Sequence, residues 1–320
     1  MPSACSSSTA AKCQRSERTP WPRMILVVGG TGELGGRVVR VLRGHGHQVQ
    51  CLVRPETDDA TLGRLGATVV RGNLTEPASL PRACRGIDTV VATVTALGRR
   101  LGGAHHASIR EVDQAGMSAL IDAAEQARVG RFVFVSSAGL DTARGTPFER
   151  AKIANERRLR GSSMQAVLVR PDAFQETHLT PLGRFDLARG QVVVFGKGDS
   201  RTRWVSADDV AALIAAVAAE PNPPELIEFG GPEGLSRNEA ITIAERLTGR
   251  TIKRQHVPRP ILRLGQHLLN RPNDALASFF GLVLMRDLAD SNWDDTPLRQ
   301  RGITPRSASE FLEEQAKSLH

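Results

Sequence analysis

Tyrosine is absent from all 320 residues, and aromatic residues of every kind make up only 4% of the chain. The first absence removes one class of chemistry: no phenol can donate or accept a proton anywhere in the protein. Cysteine is nearly as scarce, at positions 5, 13, 51 and 84, with no C-x-x-C pair and no histidine at zinc spacing. Cys51 stands in a strand-like run and Cys84 in a helix-like one, so both read as small core hydrophobes. No metal is expected, and the thiol pattern suits a reducing cytoplasm. Long apolar runs are missing too. Ala275–Met285 (ALASFFGLVLM) falls well short of the ~20 residues that cross a bilayer. Residues 1–23 lack the apolar centre of a secretory signal and are expected to be a disordered tail, or to precede a true start at Met24.

What remains is the composition of a globular protein, 40% hydrophobic and 24% charged, with a net charge of +8. Residues 1–23 carry +3 of that excess and the rest of the chain +5. No basic run of five or more occurs, and arginines are scattered among acids, which argues for a solvated surface rather than a nucleic-acid face. Part of the excess fits a basic cleft for an anionic cofactor.

The organising stretch is Met24–Arg40, MILVVGGTGELGGRVVR. A short apolar run meets a glycine turn, and the turn opens directly into apolar positions at helical spacing. That context favours a dinucleotide site over an ordinary βα turn. Gly29-x-x-Gly32-x-x-Gly35 permits positive φ, a close pyrophosphate and close helix packing. The phosphates would rest on backbone amides over Gly29, Gly30, Thr31, Gly32, Glu33, Leu34 and Gly35.

Further apolar segments follow with helical ones between them. Strands are expected at His47–Val53, Ala67–Val70, Ile87–Thr93, Arg131–Val135 and Gln165–Arg170; helices at Thr57–Leu65, Glu76–Cys84, Ser108–Ala127 and Pro147–Arg160. Alternation with strands apolar on both faces specifies an α/β fold, a Rossmann-type doubly wound parallel sheet over residues 24–171. Past Pro171 the rhythm changes. Gln191–Phe195, Arg203–Val205, Glu225–Phe229 and Thr251–His256 read as strands. Ser206–Ala219 and Ser236–Leu247 read as capped helices, the second with a Ser236…Glu239 capping box. Residues 172–320 are therefore expected to form a smaller C-terminal α/β substrate-side region, mostly helical towards its end, with some strands extending the main sheet. His105-His106 sits in a Gly-rich loop without partner ligands.

Met24–Gly36, Arg54 after the second strand, RFVFVSSAG and PFERAKIANERRL together resemble the atypical short-chain dehydrogenase/reductase superfamily, in its NmrA-like branch. The resemblance runs from Met24 to about Leu247. It implies an NAD(P)-binding domain and a small C-terminal region closing a cleft over the nicotinamide. Members include NADPH-dependent reductases of quinones and plant phenolics, and regulators that sense the cofactor without turnover. Arg54 stands where the adenosine ribose is contacted; an arginine there pairs with the 2′-phosphate, so NADP(H) is favoured over NAD(H). Asn73-Leu74 replaces the usual Asp-Leu beside the adenine. Thr93 and Thr95, then Ser136 and Ser137, end strands that face the cofactor.

Phe148-Glu149-Arg150-Ala151-Lys152 holds the place of the Tyr-x-x-x-Lys of tyrosine-dependent relatives. With Phe148 there and no tyrosine elsewhere, Tyr–Lys acid–base catalysis is excluded. Lys152 remains, as a ribose ligand or, in some relatives, the general base. The implied activity is hydride transfer from NADP(H) to a small quinone-like or enone acceptor, bound near Phe174 and Ala275–Met285. The second reading is a non-catalytic NADP(H) sensor or an assembly or scaffold protein with a protein partner.

Overall fold

The computed structural model describes residues 23–101, 103 and 107–319. The expected tail, but for Arg23, and the His105-His106 pair lie outside the described residues. Strands β1 (Met24–Val28), β2 (Gln48–Val53), β3 (Thr68–Arg71), β4 (Thr89–Ala92), β5 (Arg131–Val135) and β6 (Gln165–Pro171) alternate with helices. Between them come α1 (Glu33–Gly44), α2 (Ala60–Arg64), α3 (Leu80–Cys84), α4 (Leu97–Leu101), α5 (Met117–Gln126) and α6 (Pro147–Arg160). Beyond Pro171 follow α7 (Gln175–His178), β7 (Phe185–Asp186), β8 (Gln191–Phe195), β9 (Arg201–Thr202), α8 (Ala207–Ala219) and β10 (Leu226–Phe229). Then come β11 (Leu235–Ser236), α9 (Arg237–Thr248), β12 (Lys253–Val257), α10 (Arg259–Leu268), α11 (Asp274–Leu288), α12 (Thr296–Arg299) and α13 (Ala308–Lys317).

The main sheet has seven parallel strands in the order β10-β6-β5-β4-β1-β2-β3. Its double burial is read directly from the strand pleat. In β1, Ile25 and Val27 face one helical layer with Val38, Val39 and Leu42 of α1 and Val210, Leu213 and Ile214 of α8. Leu26 and Val28 face the other, with Leu80, Leu120, Ile121 and Leu159. Each such side chain contributes on the order of 1.5–3 kcal/mol by leaving water. Cys51 and Cys84 are fully buried, one in each layer. Burial pushes their thiols up to about 12 and about 11, the behaviour of core residues rather than reactive ones.

The chain returns to this sheet after Pro171. Strand β10 pairs in parallel with β6, and α8 lies in the same layer as α1, tied to it by Arg37 on Asp208 at 2.8 Å. Of the other C-terminal segments, β12, β8 and β7 build a three-stranded sheet on a separate core that includes Phe185, Val192, Trp204, Ile241 and Leu312, and β11 pairs with β9. Both serine caps anticipated from the sequence form: Ser206 accepts from the Asp208 amide, and Ser236 and Glu239 make a reciprocal capping box.

The helix expected at Thr57–Leu65 shortens to Ala60–Arg64 and that at Glu76–Cys84 to a 3-10 turn plus α3, and two further segments differ more strongly. Ser108–Ala127 is not one α-helix, because Arg110–Gly116 is π-helical. The wider turn leaves the Asp113 carbonyl to accept from Asn155 Nδ2 at 2.6 Å, and Gly116 lets it sit close against Leu74. The strand expected at Arg203–Val205 reduces to a single bridge between Val205 and Phe174, with β9 lying earlier in the chain. The Arg203 amide is taken by the Asp172 carboxylate instead of a strand partner.

The first turn holds a very close backbone approach. Gly29 has φ of +100°, and a Cβ on Gly35 would overlap the Gly29 carbonyl. Gly35→Ala should therefore force α1 off β1, costing about 1–3 kcal/mol or more of stability. Urea denaturation checks this; an unchanged midpoint would mean that the turn yields easily.

Candidate functional site

The carboxyl ends of β1, β4 and β5 are neighbours in the sheet, the position in which open α/β folds bind ligands. At β1 the glycine turn is closed by the Gly32 amide on the Gly29 carbonyl at 2.9 Å. Gly32 caps α1 without any side-chain hydrogen bond, so amides of the first turn, including Glu33 and Leu34, have no capping acceptor. Thr31, Gly32 and Glu33 are exposed, while Gly30 and Gly35 are buried. This is a backbone cradle that a side chain would fill, and it suits a pyrophosphate. Thr93 closes it from β4: its hydroxyl donates to the Val28 carbonyl at 3.2 Å, and a Cβ on Gly29 would stand 2.7 Å from that hydroxyl.

Arg54 lies at the end of β2, next to β1. Its guanidinium meets Glu56 at 3.1 Å and Thr57 at 3.1 Å and is about one-third exposed. Two further arginines gather there that the sequence did not single out. Arg71 braces the segment after β2 through the Arg54 and Thr57 carbonyls, at 3.1 and 2.9 Å. Arg99 on α4 has its pKa held below the ordinary arginine value by partial burial, then by the like charge of Arg54. The cluster is basic enough for a phosphate dianion, with Glu56 on Arg54 and Asp59 on Arg71, at 2.6 Å, as competing acids. Asn73 and Leu74 follow β3 at the sheet edge, separated from β1 by β2. Asn73 accepts from the Thr75 amide, and the Leu74 side chain is buried in the core.

Helix α6 starts at a capping box made by Thr146 and Glu149, with Pro147 in the first turn. That start sets the register that places Phe148 and Lys152 on one face, four residues apart. Lys152 is 4% exposed. Its ammonium donates to the Val135 carbonyl at the end of β5, 2.7 Å away, and lies 4.7 Å from the Phe134 ring and 5.3 Å from the Phe148 ring. Burial lowers its pKa from the ordinary lysine value, against the opposing pull of Asp113 and Glu156. Asp113 shifts the other way, raised chiefly by its own burial. One of its oxygens accepts from the Ala96 amide at 2.8 Å; the other has no partner among the described residues. Desolvation thus drives both members towards their neutral forms. No periodicity signalled Asp113, because only the π-helical turn brings it inward.

Phe148 is sealed. Its ring belongs to an apolar cluster with Ala96, Ile109, Ala275, Leu282 and Met285, and its amide donates to Ser278 of α11 at 3.1 Å. Arg100 of α4 pairs with Asp274 at the start of α11 at 2.9 Å, so this helix spans the strand ends from α4 to α6. Ser136, a candidate ligand, instead donates to Glu156 at 2.6 Å. Glu156 also receives both arms of Arg170, at 2.9 and 2.7 Å. Ser137 reaches only the neighbouring Ala138 carbonyl, at 3.4 Å, and Thr95 accepts from the Leu97 amide. Among the described residues no cluster of three His, Cys, Asp or Glu could hold a metal, and no helix is long and apolar enough to cross a membrane.

A lowered lysine pKa means that the folded chain sheds this proton earlier than the unfolded one. Stability from this site therefore rises with pH through the window between the lowered value and 10.5, and falls as pH drops through it. Lys152→Met should remove that alkaline rise; paired thermal melts across the window check it, and parallel curves would refute the buried-lysine account.

A family model described as NAD(P)H-binding matches residues 29–221. An Arabidopsis thaliana protein, named high chlorophyll fluorescence phenotype 244, chloroplastic, is 31% identical over 84% of this chain. This chain spans 66% of that relative's length. A photosystem II assembly factor from Trieres chinensis is 28% identical over 75% of this chain and 74% of its own. Among solved structures, an NADPH-dependent quinone oxidoreductase from Escherichia coli superposes with a TM-score of 0.71 at 19% identity, covering 91% of this chain and 99% of that one. The chain belongs to the family described as NAD(P)H-binding, whose model covers more than half of it.

Proposed function

We propose that the protein is an NADP(H)-dependent reductase that delivers hydride to a small planar acceptor, quinone-like or enone, without a protein phenol. The observation that carries this reading is the buried Lys152 ammonium, held on the Val135 carbonyl at the end of β5. One of its N–H groups is engaged there, leaving two for ribose hydroxyls. In this reading the amides over Gly29–Gly35 take the pyrophosphate, Thr93 supports their turn, and Arg54 with Arg99 takes the 2′-phosphate. Asn73 and Leu74 stand towards the adenine. When bound, the nicotinamide supplies the hydride. Lys152 orients it, while Phe148 and the apolar cluster under α11 exclude water from the nicotinamide side. Positioning is the main protein contribution to such a step, and the acceptor can take its proton from water. The substrate-side region from residue 172 and α11 would bound the acceptor.

A second reading, an NADP(H)-binding assembly factor or sensor acting through a protein partner, is favoured by one observation. The relative from Trieres chinensis is named a photosystem II assembly factor. The cytoplasmic placement rests on the free thiols of Cys51 and Cys84, and the Arabidopsis relative's name puts that protein in the chloroplast.

Calorimetry with NADPH, NADP⁺ and NADH, followed by NADPH consumption with a panel of quinones, separates the two. Turnover supports the reductase; tight binding of both redox forms with no turnover supports the second reading. A charge-assisted phosphate contact contributes on the order of 1.5–3 kcal/mol. Arg54→Asp should accordingly weaken NADPH roughly ten- to hundredfold while leaving NADH nearly unchanged. Equal loss for both nucleotides would remove Arg54 from phosphate selection.

A further inference from the structure

Helix α10 carries more apolar surface than its neighbours cover. Leu262 is fully buried, and Gly265 lies so close to Phe280 of α11 that a Cβ there would stand 2.5 Å from the ring. Around the same helix, Ile261, Leu264 and Leu268 are 55%, 59% and 61% exposed. Their spacing of three and then four residues puts them on one stripe. The apolar sector of α10 is thus only half used by the fold, and its outer half faces solvent. The helix is short and polar on its remaining side, where Arg259, Arg263, Gln266 and His267 lie.

The stripe has a charged neighbour of one sign. A cavity of about 320 Å³ opens between α10 and the segment leading into α6, lined by Arg144, Arg263, Gln266, His267 and Asn270 among others, with no acid in its wall. Arg150 adjoins it, donating to the Asn270 side chain at 3.2 Å, and the exposed Arg271 follows. None of the ion pairs among the described residues uses Arg144, Arg150, Arg263, His267 or Arg271. Four arginines outside any of those ion pairs, beside a convex apolar stripe, complement a surface that is anionic outside and apolar within. A protein groove would need its own row of acids to match them.

We propose that α10 is an interfacial helix that docks this protein onto an anionic lipid bilayer. Ile261, Leu264 and Leu268 enter the boundary between headgroups and acyl chains, lying in the membrane plane. Arg144, Arg263 and His267 take a lipid phosphate in the cavity beside them, with Arg150 and Arg271 adding longer-range attraction. The inference does not depend on the nucleotide or on turnover, since α10 holds none of the residues assigned to the cofactor.

The test is co-sedimentation of the full chain with vesicles of phosphatidylglycerol and, separately, of phosphatidylcholine. Binding to the first and not the second is expected, weakening as salt is raised. Each arginine near an anionic surface contributes roughly fivefold, so Arg263→Gln with Arg271→Gln should lower the partition coefficient about thirtyfold. Leu264→Asp with Leu268→Asp should abolish binding; both sites are exposed, so the melting temperature should stay unchanged. If that leucine variant misfolds, the arginine pair still decides the matter. Absence of phosphatidylglycerol binding at low salt overturns the proposal, as does binding that survives the leucine variant in folded form. A dimer in solution that Leu264→Asp disperses, with no vesicle binding, would assign the stripe to a second copy of this chain and overturn it equally.

Discussion

The backbone of α1 meets the end of β1 with no side chain between them, and most of the architecture depends on that contact. A Cβ on Gly35 would overlap the Gly29 carbonyl, and one on Gly29 would crowd Thr93 and the Val94 amide. Because both are glycine, α1 can lie flat on the sheet with Val38, Val39 and Leu42 in its core. The same closeness leaves the first-turn amides of α1 pointing past the strand end with nothing capping them. One steric condition thus produces both the packing of the first βα unit and a place for an anion.

The second constraint is the cost of burying Lys152. An ammonium with 4% exposure survives because a carbonyl, two aromatic faces and two carboxylates at longer range oppose desolvation. The opposition is incomplete, as the lowered pKa records. Phe134 and Phe148 therefore have an electrostatic role as well as a packing one. Phe148 in particular does what a tyrosine ring would do for packing while withholding the hydroxyl. With α11 laid over it, this part of the cleft is largely apolar, with Lys152 and Asp113 as its titratable groups.

Legibility from the sequence followed the range of the interactions concerned. Strand β5 and helix α6 occur at their anticipated limits, since both are set by local patterns: a run of β-branched and aromatic residues, and a Thr-Pro start with glutamate at the third position. The Ser206 and Ser236 caps were equally local. Asp113 was not legible, because its inward position needs the π-helical turn, and that turn needs Asn155 from a helix some forty residues away to take its carbonyl. The Arg203–Val205 strand was misplaced for a similar reason: Asp172, at the end of β6, claims the amide that a strand partner would have used. Ser136 looked free at a strand end, yet Glu156 and Arg170 occupy it.

By itself the sequence determined the class of fold, the glycine turn and the exclusion of tyrosine chemistry, because strand pleat, helix period and residue identity are properties of adjacent positions. Some strands beyond Pro171 were expected to extend the main sheet; the tertiary structure alone decided that β10 is the one that does, with α8 beside α1, and that Arg99 and Arg71 gather around Arg54. It also decided that α11 seals Phe148 and that half the apolar face of α10 stays uncovered. Those outcomes turn on which distant surfaces meet, and desolvation and like-charge effects act only once they have met.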